Sequence, residues 1–317
     1  MKRVYLLLLL FSSYQMVNAQ YTEIINSKRP GFSESPYSVG TDVFQFETGL
    51  FYRTSNNELS GSKPTTVGGE LFFRYGKFFE NLEVNAKIAY QRDEILNTPD
   101  PNFNISGLSE LTIGAKYLIY QQKYTDKSKE IRSWKRRLAF DKKRLIPSIA
   151  ASVGVNTNFL GEGFKANELS IKGAVLLQND FSDRLVLLTN LIADKILSDS
   201  NEYSYIATMT YALNYKWSYF IENQGIFEKG FSPKYHFGTG VAYLFSKDLQ
   251  LDASVRTNFF DDYSFLYSSI GVAWRLDKHS DEVIQKKSPR AKLSKKQKGR
   301  KKGNFFSRMF KKKKKRN

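Results

Sequence analysis

The sequence predicts an all-β protein: a closed antiparallel transmembrane β-barrel of about 12 strands, followed by a disordered basic C-terminal tail. Three observations predict it. Apolar and polar residues alternate with a period of two over a dozen segments. Those segments are long for soluble strands, which usually run about five or six residues. Their number is even, and the links between them alternate between tight and long.

The alternation is clearest in LQLDASVRTNFF, where Leu249, Leu251, Ala253, Val255 and Phe259 interleave with Gln250, Asp252, Ser254, Arg256 and Asn258. One face of such a strand is apolar and the other polar. LEVNAKIAY repeats the pattern with Leu82, Val84, Ala86, Ile88 and Tyr90, and FQFETGLFYR does so more loosely. Twelve segments of this kind span 43–53, 65–75, 80–91, 107–121, 145–156, 168–178, 183–197, 203–214, 216–225, 234–245, 247–259 and 263–276. A tilted strand that crosses a bilayer needs about 9–11 residues. The 25 Phe and 19 Tyr suit aromatic girdles at the two interfaces. A soluble β-sandwich would share the alternation, but it accounts for neither the length nor the even count. In lipid, a closed sheet satisfies its own backbone without leaving edges.

The chain ends set the compartment. Lys2 and Arg3, the apolar run Val4 to Phe11, and Val17-Asn18-Ala19 before Gln20 have the order of a secretory signal peptide, residues 1–19. Residues 20–42 then form a periplasmic lead-in. Its Arg29-Pro30-Gly31 is a turn signal, and it either stays periplasmic or folds into the barrel mouth as a partial plug. The barrel occupies 43–276 and the tail 277–317. The expected location is the outer membrane of a Gram-negative-type bacterium. An even strand count puts both termini in the periplasm.

Charge is concentrated in two places. Residues 277–317 carry +15 and a long link at 122–144 carries +7, against +18 for the whole chain. The rest is therefore mildly acidic. Both basic segments fall on the periplasmic side by the strand count. The tail ends with Phe305, Phe306, Met309 and Phe310 on one helical face, flanked by Arg308, Lys311, Lys312 and Lys313. Such a segment can lie on an anionic membrane surface, where each basic residue contributes about 1 kcal/mol. Expected partners are outer-membrane lipid, the barrel-assembly machinery, and cell wall or anionic lipid through the tail. Nucleic acid is not expected, because export removes it and no recognition fold accompanies the basic runs.

The polar faces nominate lumen residues: Glu47, Glu70, Arg74, Glu222 and Arg256. They belong to a larger set of seven acids and seven bases that can pair within the wall. That balance fits a packing network holding a narrow barrel together, or a polar path for a small solute. No catalytic residue is nominated. His236 and His279 are the only histidines and there is no Cys, so neither a nucleophile–base set nor a transition-metal site is expected, and no cofactor.

The stretch KRPGFSESPYSVGTDVFQFETGLFY carries a family resemblance. Its elements are Arg29, Pro30, Gly31, Phe32 and Ser33, then Ser35 and Pro36, then Gln45 to Gly49 opening the first strand. LTIGAKYLIY, PSIAASVGVNTN and WSYFIENQG continue it. These motifs resemble the outer-membrane barrel family labelled "putative MetA-pathway of phenol degradation", over roughly 28–276. The resemblance implies a transporter-like barrel; the label names a pathway and brings no substrate with it. The 122–144 insertion and the tail depart from the pattern. GVAWRLD on the last strand also resembles a barrel-assembly signal, through Gly271, Trp274 and Leu276. Two functions follow as expectations: a transporter or channel for small solutes, hydrophobic ones included, or a structural protein that anchors the basic tail.

Overall fold

The computed structural model describes residues 24–57, 63–77, 79–96, 103–124, 140–165, 169–196, 198, 201–258 and 263–279. The expected signal peptide, most of the basic insertion and nearly all of the tail lie outside these residues, including Phe305 to Lys313.

Twelve strands close into one antiparallel barrel in which each pairs with its sequence neighbours. In chain order they are β1 Val43–Asn57, β2 Lys63–Gly76, β3 Leu82–Leu96, β4 Phe103–Tyr120, β5 Ser148–Asn156 and β6 Ser170–Asp180. Next come β7 Leu185–Ile196, β8 Glu202–Ala212, β9 Trp217–Glu228, β10 Lys234–Ser246, β11 Leu249–Thr257 and β12 Tyr263–Asp277. β12 closes on β1 in unbroken register, from Val43 opposite Asp277 to Asn57 opposite Tyr263. Every expected strand is present. Several run further than the alternation does at the end opposite the termini: β3 continues through Arg92, Asp93 and Glu94 to Leu96. There the ribbon has left the apolar layer, so a solvated face no longer selects apolar residues and the sequence signal fades.

The barrel is inside-out relative to a soluble protein. Leu50 is 65% exposed, Ile270 63%, Val153 60% and Ile221 54%, all on the outer face. Gln45, Glu47, Arg74, Glu83, Lys116 and Arg275 are buried on the inner one. Exposing that much apolar surface to water would cost about 1.5–3 kcal/mol for each large side chain. A continuous apolar band of this kind marks a surface made for lipid.

The links at the terminal end are mostly tight, such as Lys247-Asp248 between β10 and β11 and 213–216 between β8 and β9. The exception is the link after β4. Its described part returns through a short 3-10 turn at Lys142–Leu145, where Asp141 accepts a bond from the Lys143 backbone N–H at 3.1 Å. Arg144 closes this return on the barrel. It pairs with Asp183 at 2.8 Å and lies 4.2 Å from the Tyr124 ring.

Of the two courses expected for the lead-in, residues 24–42 take that of a plug folded into the barrel mouth. They enter the terminal end of the barrel, loop through its interior and return to β1. Ile25 N–H donates to the Lys247 carbonyl at 2.9 Å on the way in. Gly40 lies against Gly76 on the way out, where a Cβ on Gly76 would strike the Gly40 carbonyl. Ser33, Glu34 and Ser35 are each less than a tenth exposed. The physical reason is the inner wall itself. A cylinder lined with ionised side chains needs counter-charges and backbone donors, and this segment supplies them.

Candidate functional site

The site is the lumen, with the N-terminal segment as its plug. The wall grips the plug first by its backbone. Glu47 on β1 accepts from the N–H groups of Lys28 (2.9 Å) and Arg29 (3.3 Å) and from the Ser27 hydroxyl (3.0 Å). Glu222 on β9 accepts from the N–H groups of Phe32 (2.9 Å) and Ser33 (3.3 Å). Glu83 on β3 accepts from Val39 N–H at 3.0 Å. A loop has no ladder to satisfy its donors, and buried donors must be satisfied. Here three wall carboxylates do so through charge-assisted bonds.

Arg29 is the central anchor. The strand register aligns Glu70, Gly49, Gly271 and Asp252 in one row across β2, β1, β12 and β11. Two carboxylates thus flank two glycines. The guanidinium lies over the glycines, with Nη1 on Glu70 at 2.5 Å and Nη2 on Asp252 at 3.1 Å. Any Cβ on Gly49 or Gly271 would run into it. Burial opposes the charge, but Asp252 and Glu70 more than compensate and hold Arg29 firmly protonated. A Gly271→Val exchange is expected to displace Arg29 at a cost of about 1–3 kcal/mol. It should make residues 24–42 more sensitive to protease while the barrel keeps its compact gel mobility. Unchanged sensitivity would show that the niche does not hold the plug.

A second row follows the same logic. Glu222, Gly238 and Arg256 are aligned across β9, β10 and β11, and the Arg256 guanidinium pairs with Glu222. It also stacks 3.3 Å from the centroid of the Phe32 ring. Phe32 in turn meets Tyr267 edge-on at 5.3 Å. Deeper in the network, Arg74 binds Glu83 at 2.7 Å and Glu47 at 3.3 Å, and donates to the plug carbonyls of Asn26 (2.7 Å) and Tyr37 (3.3 Å). Lys116 joins Glu34 of the plug at 2.9 Å and Glu83 at 3.3 Å. Burial pushes the Glu34 carboxyl up, but Lys116, Lys28 and Arg74 outweigh it and hold it at about 2. Its folded value is depressed, so its contribution is complete above the ordinary carboxylate range and is lost as pH falls toward 2. Tyr37 packs on the small apolar cluster of Leu118, Ala150 and Leu176, and its hydroxyl meets Ser148 at 2.9 Å.

All five lumen residues nominated by the sequence therefore converge on the plug. Glu47, Glu70 and Glu222 touch it directly, Arg74 donates to it, and Arg256 stacks on it. Of the family-motif residues, Arg29, Phe32 and Ser33 make the contacts described. Gly31 sits where a Cβ would strike the Glu222 carboxylate, and Pro36 is fully buried. Pro30 follows a cis peptide bond. The wall does not balance its charges by itself. Asp252 takes its partner from the plug, as does Glu70 in part, and Arg275 turns to Asp248 at 2.8 Å. Sequence reading missed Arg29 as that partner. The available signal was an arginine in a polar segment just ahead of a barrel with inward acids. His236 is buried and stacks on Phe265 with ring centroids 4.1 Å apart. Its Nε2 bonds no group among the described residues.

Beyond the plug, toward the end opposite the termini, lies a cavity of about 460 Å3. Its floor includes Lys28, Arg29 and Phe32, and its walls include Phe51, Phe72 and Tyr267.

The family model described as "Putative MetA-pathway of phenol degradation" matches residues 27–276, from the plug through β12. The chain belongs to this family. The match begins within the plug, so the phenol-degradation family model takes in both the anchor Arg29 and the wall that receives it. Among solved structures, a COG4313 outer membrane channel from Pseudomonas putida F1 has a similar fold. Its TM-score is 0.54 at 10% identity, over 79% of this chain and all of that one. The translocator domain of the autotransporter NalP from Neisseria meningitidis matches with a TM-score of 0.46 at 14% identity, over 75% of this chain and 89% of that one. The CymD monoaromatic hydrocarbon channel matches at 0.41 and 9% identity, over 76% of this chain and 90% of that one. At these identities the likeness is one of fold. No curated protein matches the sequence.

Proposed function

We propose that this protein is an outer-membrane channel or transporter for small solutes, with both termini periplasmic and the N-terminal segment narrowing the periplasmic end of its lumen. The cavity carries the reading: a polar and aromatic chamber of about 460 Å3 stands inside a lipid-facing barrel. Small-molecule sites occupy about 300–1,000 Å3, so the chamber suits one small solute rather than a polymer. Membership of the family supports the reading, and so does the fold shared with a protein described as an outer membrane channel. The polybasic tail, including Arg308 and Lys311 to Lys313, adds a proposed hold on anionic lipid or cell wall; its support is the sequence pattern alone.

Planar-bilayer recording of the refolded mature protein tests this. Discrete conductance steps are expected, and deletion of residues 24–38 should enlarge them. A silent bilayer for both forms would remove the channel reading.

A further inference from the structure

The charges around the cavity do not cancel pair by pair. Glu34, Glu47, Glu70, Glu110, Asp194 and Glu202 line it, and each lies within 3.5 Å of a Lys or Arg nitrogen. The lining cations Arg29, Lys87 and Lys172 are used in those pairs. Two others are not. Among the described residues, neither Lys28 nor Arg53 has a carboxylate partner. Arg53 donates to the Thr66 hydroxyl at 3.2 Å, and the Lys28 ammonium stands 5.1 Å from the centroid of the Phe72 ring.

Lys28 is held in this position by its own backbone, since Glu47 binds its N–H at 2.9 Å and the next residue is the anchor Arg29. The ammonium is thus fixed on the cavity floor while the nearby carboxylates are committed elsewhere. Burial lowers its affinity for a proton, Glu34 and Glu70 work against that, and Lys87 and Lys172 lower it further. A desolvated cation beside other cations is costly without a counter-charge. An aromatic face relieves it only in part.

The same chamber has an apolar side. Phe51 stacks on Tyr267 with centroids 5.7 Å apart, and Phe72 lines the cavity beside Lys28. One wall therefore offers a positive charge and the adjoining wall offers flat apolar surface. We propose that the chamber floor is a binding site for a small organic monoanion with a flat apolar body, an arene carboxylate being the simplest, with Lys28 as its charge contact and Phe51, Phe72 and Tyr267 as its apolar wall. Arg53, two positions after Phe51 on β1, offers a second positive charge on the cavity wall. This names a solute class for the channel reading and rests on the same lumen.

Calorimetric titration of the full-length barrel in detergent tests the site, with benzoate as probe and benzyl alcohol as its neutral counterpart. Benzoate should bind the native protein more tightly than benzyl alcohol does. Lys28→Met should weaken benzoate by about ten-fold or more, as loss of a charged hydrogen bond does, and leave benzyl alcohol unchanged. Lys28→Arg should retain benzoate. Benzoate binding no tighter than benzyl alcohol in the native protein, a comparison that needs no variant, would overturn the proposal; so would an unchanged affinity in Lys28→Met. A protein that conducts in bilayers without preferring benzoate loses the site and keeps the channel. One that binds benzoate through Lys28 but stays silent in bilayers keeps the site and loses the channel.

Discussion

Arg29→Met is expected to unseat the plug while the barrel stays closed. The substitution keeps most of the side-chain volume and removes only the charge and its donors. It strands Asp252, whose side chain is buried and whose ion-pair partner is Arg29, and it leaves Glu70 only Lys87 at 3.9 Å. Removing one member of a buried ion pair typically costs about 3–5 kcal/mol. At about 1.4 kcal/mol per factor of ten, that is a shift of roughly two to three and a half decades between seated and unseated forms. The barrel does not share this cost, because its wall is closed by β1–β12 pairing over fifteen residues of β1. The expected readouts are rapid proteolysis of residues 24–42 and a larger bilayer conductance, with unchanged compact gel mobility. Native-like protection of the segment would show that Arg29 is not its anchor.

Arg74→Met is expected to damage plug and wall together, and so to lower global stability. Arg74 is 1% exposed and serves Glu83, Glu47 and two plug carbonyls at once. Glu83 would keep Lys116 at 3.3 Å as its one charged partner among the described residues, beside the Val39 N–H, and Glu47 would keep only uncharged donors. The expected loss is about 3–5 kcal/mol, read as a fall in the urea midpoint of the refolded protein in micelles. Adding Glu83→Gln to Arg74→Met should recover part of it, because the second change removes one stranded charge. A double-mutant cycle isolates that coupling. A midpoint that does not move, or a cycle with no coupling, would place the wall's stability elsewhere.

These two arginines show where sequence reading succeeds and where it stops. Glu47, Glu70, Arg74, Glu222 and Arg256 were legible as inward residues because each sits on the polar phase of a strand, and phase is a property of neighbours two positions apart. The partner of Asp252 was not legible. It lies 223 residues away in the chain, on a segment with no periodicity of its own. Arg53 and Arg29 look alike as residue types, yet among the described residues one has no carboxylate partner and the other is the anchor. The strand ends faded for a different reason: past the apolar layer both faces are solvated, so Arg92 to Glu94 carry no alternation although they pair with β2 and β4.

The twelve-stranded wall, its apolar exterior and its charged interior were legible in the order of residues alone. Those follow from a local repeat that lipid on one side and water or protein on the other impose residue by residue. That the N-terminal segment fills the lumen emerges from the folded barrel. The row of Glu70, Gly49, Gly271 and Asp252 exists only once four strands are in register. Until that register forms, there is neither a niche for Arg29 nor a floor on which Lys28 can stand without a counter-charge.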